Sequence, residues 1–487
     1  MQSEPLYREK LTKVLKEKRE AVESDPYRLS FHLMPSTGLL NDPNGFIYWR
    51  GEYHLFYQWM PFKTDHGAKC WGHYVTKDFI KWRHEKVALT PTEWFDRNGC
   101  YSGSAIIHEE KMYLFYTGNV KDTQGNRQTY QCLAISEDGI HFDKKGPVIS
   151  LPEGYTAHFR DPKVWKHRDI FYMVVGAQTL EEKGTIALFE SKDLLDWKYK
   201  GNVIKNENDF LNDFGYMFEC PDLFQLNGHD LLIFCPQGLD PKGDFYHNTY
   251  QSGYVVGVMD YDKGSLEHGE FYELDRGFDF YAPQTTTDEQ GRRIMFAWMG
   301  VPEQNEQDHP TISHDWLHNM TLPRELMYEN NKLYQRPLQE LVELRHPNVF
   351  EKTIQLQPKM FWKLLNETTK GTELLLDFLT LPEDWFQIDI AEAVRLIYSK
   401  EKQLFIFERK SYVDEKFERR QCFLRDLTSL QIFIDTSAIE IFINEGEEVF
   451  SARFYSNMSA HHIHFSSSGS CSFSLQKWSL TSHRIVS

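Results

Sequence analysis

Three acidic residues stand in short, proline-marked polar stretches that lead into apolar runs. They are Asp42 in "LLNDPNGFIYW" (39–49), Asp161 in "HFRDPKVWKH" (158–167) and Glu219 in "FECPDLFQL" (218–226). On its own stretch, Asp42 reads as turn chemistry, because an Asp beside Pro, Asn or Gly can cap its own backbone. Brought to one place, the three would do something else. Neighbouring carboxyl groups repel and push their pKa values apart. One ionised carboxylate beside one protonated carboxylic acid is what cleavage of a glycosidic bond requires. The chemistry therefore depends on whether the elements that carry these acids converge.

A repeat suggests that they do. Aromatic-rich strand segments begin at Tyr53 ("YHLFYQW"), Met112 ("MYLFYTG"), Ile170 ("IFYMVVGA"), Asp230 ("DLLIFCPQG") and Arg293 ("RIMFAWMG"), spaced 59, 58, 60 and 63 residues apart. A near-constant period points to radial repetition, and about four strands fit in each unit. That predicts a five-bladed β-propeller; the alternative is a row of hairpins without closure. About ten residues upstream of each segment lies a second strand with polar residues at its start, adding "CYSGSAIIH" (100–108) and "FYAPQTTTD" (280–288) to the three acidic stretches. In a propeller these innermost strands line a channel. Asp42, Asp161 and Glu219 are then expected at the same blade position, meeting at one mouth. Prolines 43, 162 and 221 suit the start of a strand.

The whole chain reads as all-β: an N-terminal helical segment (1–29, amphipathic over 6–23), a propeller (30–334), a short helical connector (335–347) and a C-terminal β-sandwich (348–487). Asp435 and Glu440, in the alternating stretch 429–455, read as solvent-facing. A net charge of −17 argues against nucleic acid or an anionic membrane as partner. No apolar run reaches transmembrane length, and the charged N-terminus does not read as a secretory signal. The seven cysteines are scattered without CxxC spacing, so neither disulfides nor a metal site is expected and a reducing, cytoplasmic setting fits. No cofactor is called for, and a monomer and a homodimer both stay open.

"LLNDPNG", "FRDP" and "ECPD", in that order, resemble the signature motifs of the β-fructofuranosidases of glycoside hydrolase family 32, which include invertases, fructan hydrolases and bacterial sucrose-6-phosphate hydrolases. "YSGS", "WGHYVTKDFIKW", "DFYAPQ" and "LPREL" extend the likeness over 30–345, and "NGCYSGSA" with "DFGYMFECPDLF" is most similar to the bacterial sucrose-6-phosphate hydrolases. The resemblance implies a retaining hydrolase of sucrose or sucrose-6-phosphate. Asp42 would be the nucleophile, Glu219 the acid and then the base, and Asp161, beside Arg160, the stabiliser of the transition state. It also implies a sugar pocket built from Leu39, Leu40, Asn41, Gln58 and Trp71, with Tyr101, Ser102, Tyr281 and Trp298.

One departure concerns "FKTDHGAKCWGH", where many invertases of the family carry a Trp near the sugar and this chain has His66. His66 and Lys69 are candidate ligands for the phosphate of a phosphorylated substrate, or else solvated loop residues. Other readings are a fructan hydrolase or fructosyltransferase of the same family, an inverting five-bladed glycosidase, and a sugar-binding propeller without catalysis. The last does not account for an acid/base pair.

Overall fold

The computed structural model describes residues 3–206, 208–358, 360–364, 371–457, 462–482 and 484–486. Among them, each predicted repeat is built on four antiparallel strands. Blade 1 runs Gly38–Trp49, Glu52–Met60, Cys70–Thr76 and Lys81–His84. Blades 2 and 3 run Cys100–Ser150 and Tyr155–Asn202 in the same order. Blade 4 adds Tyr272–Glu273 to Met217–His268, and blade 5 is built from Tyr281–Thr287, Arg293–Met299, Arg324–Glu329 and Lys332–Pro337. The innermost strands touch in cyclic order, blade 1 to blade 5 and back to blade 1. This is the expected five-bladed propeller. Trp316–Leu317 pairs in parallel with Gly38–Leu39 and so closes the ring. Gly38 makes this approach possible: φ is 74°, and a Cβ there would lie 2.0 Å from the Met60 carbonyl oxygen.

Apolar clusters fill the spaces between blades, which is why the second strands are so rich in aromatic residues. Phe56, Trp71, Leu114 and Tyr116 pack between blades 1 and 2, for example. The N-terminal helix, Glu4–Glu23, lays Tyr7 and Leu11 on blade 1. No helix among the described residues is long and apolar enough to cross a membrane.

The C-terminal part is two six-stranded sheets packed face to face over a core that includes Leu374, Ile388, Phe407, Ile432 and Phe473. Three expectations need correction. Blade 5 continues to Pro337 and the sandwich begins at Arg345, so the connector is only the 3-10 segment Gln339–Leu344. Arg484–Val486 leaves the sandwich and pairs with Lys81–Arg83 of blade 1. Asp435 and Glu440 do not face solvent; both side chains are fully buried. His32, from the propeller side, contacts Asp435 Oδ2 at 2.9 Å and Glu440 Oε1 at 3.1 Å. Arg324 binds Glu440 at 2.6 Å and Asp275 at 3.0 Å. The outer face of that sandwich strand is covered by the propeller, so the strand's alternation separates sandwich core from domain interface rather than core from water.

Candidate active site

Every innermost strand breaks register near its start. The slips lie between Leu40 and Pro43, Cys100 and Gly103, Arg160 and Lys163, Glu219 and Asp222, and Tyr281 and Gln284. Such bulges re-aim side chains, here into one mouth of the channel. In blades 3, 4 and 5 the residue before the proline (Asp161, Cys220 and Ala282) has φ of 68°, 48° and 49°. This strained region is common at functional sites. Asp161 is held there by its amide, which donates to Thr117 Oγ1 at 3.0 Å.

The acids do not all share one blade position. Asp42 and Asp161 directly precede proline, whereas Glu219 stands one residue earlier, level with Arg160 and Tyr281, and Cys220 takes the pre-proline place. The two positions project differently from the bulge, which is how three acids share the mouth without stacking.

A cleft of about 430 Å³ opens there, with Asp42, Asp161 and Glu219 in its wall. Asn41 Nδ2 donates to Asp42 Oδ1 at 2.9 Å, and the Ser102 hydroxyl donates to Oδ2. Gln58 Nε2 donates in turn to Ser102 Oγ. Burial raises the Asp42 carboxyl above the usual range, while the Lys69 ammonium and Ser102 pull it back. Asp161 is also raised, by burial first and then by the charge of Glu219, against the pull of Arg160. Cys220 donates its amide to Asp161 Oδ2 at 3.1 Å, and its thiol lies 3.6 Å from that oxygen and 3.9 Å from Asp42 Oδ2. Burial and the acids push this thiol well up, so it stays protonated between two carboxyl groups.

Glu219 is gripped from three blades. Arg160 Nη2 lies 2.7 Å from Oε1, Tyr281 donates its phenol to Oε2 at 2.6 Å, and Gln237 Nε2 donates to Oε2 at 2.7 Å. Two buried polar atoms of the cleft residues, Asn41 Oδ1 and Trp298 Nε1, have no partner among the described residues. Buried polar groups are normally satisfied, and sugar hydroxyls would satisfy these.

Asn41, Gln58, Tyr101, Arg160, Tyr281 and Trp298 line the cleft, as do His66 and Lys69. Leu39, Leu40 and Trp71 do not. The two leucines are fully buried, and Trp71 packs between blades and donates Nε1 to the Tyr101 carbonyl at 3.1 Å. Ser102 stands behind Asp42 rather than in the wall. Lys69 is buried, with Nζ 2.7 Å from His66 Nδ1, while His66 Nε2 is 3.1 Å from Glu306. Burial pushes Lys69 down to about 8, against the attraction of Asp42 and Glu306. Sequence reasoning missed Glu306, Gln237, Arg127 and His158. Gln237 ends a recognised strand and was within reach of the period-2 pattern, and His158 lies within the strand Tyr155–His167, two residues before Arg160; Arg127 opens a strand and Glu306 a 3-10 turn, and neither carries a local signal.

The fold and this acid cluster define a glycosidase, and the chain belongs to glycoside hydrolase family 32: residues 32–337 match the glycosyl hydrolases family 32 N-terminal domain and 386–482 the family 32 C-terminal domain. Among particular proteins, it is 52% identical over 466 residues to the sucrose-6-phosphate hydrolase of Bacillus subtilis, covering 95% of this chain and 96% of that protein. The solved structure of sucrose-6-phosphate hydrolase from Lactobacillus gasseri is 31% identical, with a TM-score of 0.87 over 97% of this chain and 96% of that one. A substituted Bombyx mori GH32 beta-fructofuranosidase, solved in complex with sucrose, is 31% identical with a TM-score of 0.86 over 99% and 100% of the two chains.

Proposed function

We propose that the protein hydrolyses the β-fructofuranosyl bond of sucrose, and of sucrose phosphorylated on its glucosyl unit, with retention of configuration. The observation that carries this reading is the pairing of two differently held carboxyl groups in one cleft: Asp42, bonded to Asn41 and Ser102, and Glu219, bonded to Arg160, Tyr281 and Gln237. The Asp42 carboxylate attacks the anomeric carbon of the fructosyl unit. The bond to the glucosyl oxygen breaks as Glu219 gives that oxygen its proton, leaving a fructosyl ester on Asp42. Glu219 then takes a proton from water, whose oxygen attacks the same carbon and frees Asp42. Asp161 holds fructose hydroxyls and faces the positive charge that develops on the ring.

Two wider assignments accompany this reading. The seven free thiols and a charged sugar ester as substrate both suit the cytoplasm. The site residues named above all come from one chain, so a monomer or a homodimer would serve. The test is to supply sucrose and sucrose-6-phosphate and follow fructose release and its first-formed anomer. Retained configuration supports the reading; inversion, or no fructose from either substrate, overturns it.

A further inference from the structure

The cleft is charged unevenly. Arg127, His158 and Arg160 stand on the side of blades 2 and 3; on the opposite side stands Glu303, which accepts from the Tyr250 phenol at 3.0 Å. The cations on the basic side and around Asp42 differ in what they already hold. Arg160 is committed to Glu219. Lys69 and His66 are tied to each other and, through His66, to Glu306. A phosphate near them would lie among Asp42 and Glu306, two acids of its own sign.

Arg127 is different. It opens the third strand of blade 2, half-buried, with its guanidinium 6.0 Å from the centroid of the Tyr101 ring, and it makes no ion pair among the described residues. Beside it, His158 accepts a hydrogen bond at Nδ1 from Arg160 Nη1 at 3.0 Å. Arginine is always the donor, so the neutral imidazole carries its proton on Nε2 and can donate from there. Burial, with the charges of Arg160 and Arg127, keeps His158 neutral, pushed down to about 4. An unpaired guanidinium fork beside an imidazole N–H is a donor set for a phosphate monoester.

The position fits the chemistry. The chain Glu219–Arg160–His158 leads outward from the group that protonates the leaving oxygen. A leaving sugar bound on this side would set its phosphate against Arg127 and His158. We infer that Arg127 and His158 form the subsite for a phosphate ester on the leaving glucosyl unit, a placement that rests on the function proposed above. The net charge of −17 repels a phosphorylated sugar at long range. Salt screens that repulsion beyond about 8 Å, so the local unpaired cation decides.

The experiment compares kcat/KM for sucrose-6-phosphate and sucrose in the wild type, Arg127→Gln and Arg127→Lys, and measures inhibition by glucose 6-phosphate against glucose. The wild type is expected to prefer the phosphorylated sugar. Arg127→Gln should cut that preference at least tenfold, mainly through KM, and weaken glucose 6-phosphate inhibition in parallel. Arg127→Lys should fall between, keeping the charge but not the fork. If Arg127→Gln keeps the full preference, the phosphate sits elsewhere and the inference fails. If the wild type cleaves sucrose with no preference for the ester, the subsite fails while the proposed cleavage of sucrose stands. If it releases fructose from neither, both fail.

Discussion

Arg160 and Glu219, on the innermost strands of neighbouring blades, share an ion pair in which both Nη2 and Nε reach Oε1, at 2.7 and 2.8 Å. With Tyr281 and Gln237 on Oε2, the orientation of this carboxyl belongs to the ring of blades rather than to any one loop.

Replacing Glu219 by Gln keeps the shape and removes the transferable proton. Turnover of sucrose should fall by at least 10²-fold, within the usual range for general acid catalysis. An activated fructoside, whose leaving group needs little protonation, should lose far less in the fructosylation step. Pre-steady-state release of the leaving group checks this, and equal losses on both substrates would remove Glu219 from the role of acid.

Asp42→Asn should abolish turnover and leave the fold intact, because an amide cannot form the fructosyl ester. Asn has the shape and size of Asp, so the circular dichroism spectrum should match the wild type. More than a few per cent residual activity, with deamidation back to Asp ruled out by mass spectrometry, would displace Asp42 as nucleophile.

Lys69 gives the site a pH signature. Its pKa is pushed down to about 8 by burial, and its charged form faces Asp42. As pH rises through about 8 the cation is lost, so kcat/KM should decline there. Lys69→Met should remove that alkaline limb. It should also move the acid limb to higher pH, because Asp42 loses the cation that favours its ionised form. A profile for Lys69→Met that superimposes on the wild type, merely scaled down, would refute this coupling.

The stability of the domain interface should depend on pH as well. Burial alone would lower His32, but the hydrogen bonds it donates to Asp435 and Glu440, with their charges, outweigh it and raise it above 6.5. A raised histidine adds stability that is complete below its unfolded pKa of about 6.5 and is lost as pH climbs through the folded value. Asp435 and Glu440 are lowered despite burial, so their share is present above about pH 4 and lost on acidification. His32→Leu should therefore cost about 3–5 kcal/mol near pH 6, with the gap to wild type narrowing at alkaline pH. Urea unfolding at several pH values measures this, and a gap constant with pH would rule out the charged bridge.

The propeller was legible because radial repetition stamps a spacing on the chain, and the strands at Tyr53, Met112, Ile170, Asp230 and Arg293 carry it openly. The acids were legible through their prolines. Their offset was written there too, as Asp161-Pro162 against Glu219-Cys220-Pro221, but nothing local says that two successive positions of a bulge both reach one mouth. Leu39 and Leu40 stand just before the nucleophile in sequence, yet both side chains are packed away from the cleft because each face of this strand is covered there. Glu440 was misread because alternation says which side of a strand faces its own sheet partner, and nothing local says that a second domain covers the other side. Glu306 lies 240 residues from the His66 it holds, beyond any window of sequence.

The parallel pairing of Trp316 with Gly38 sets an order on synthesis. Asp42 leaves the ribosome early, but blade 1 keeps a bare, adhesive edge until Leu317 has been made. Contacts this distant in sequence form slowly. A chain halted before Trp316 would carry Asp42, Asp161 and Glu219 but lack the strand that latches onto blade 1 and the outer strands of blade 5. Premature termination should thus yield material for chaperones and proteases rather than a sluggish enzyme, and activity should ripen in a single event near the end of the propeller's translation.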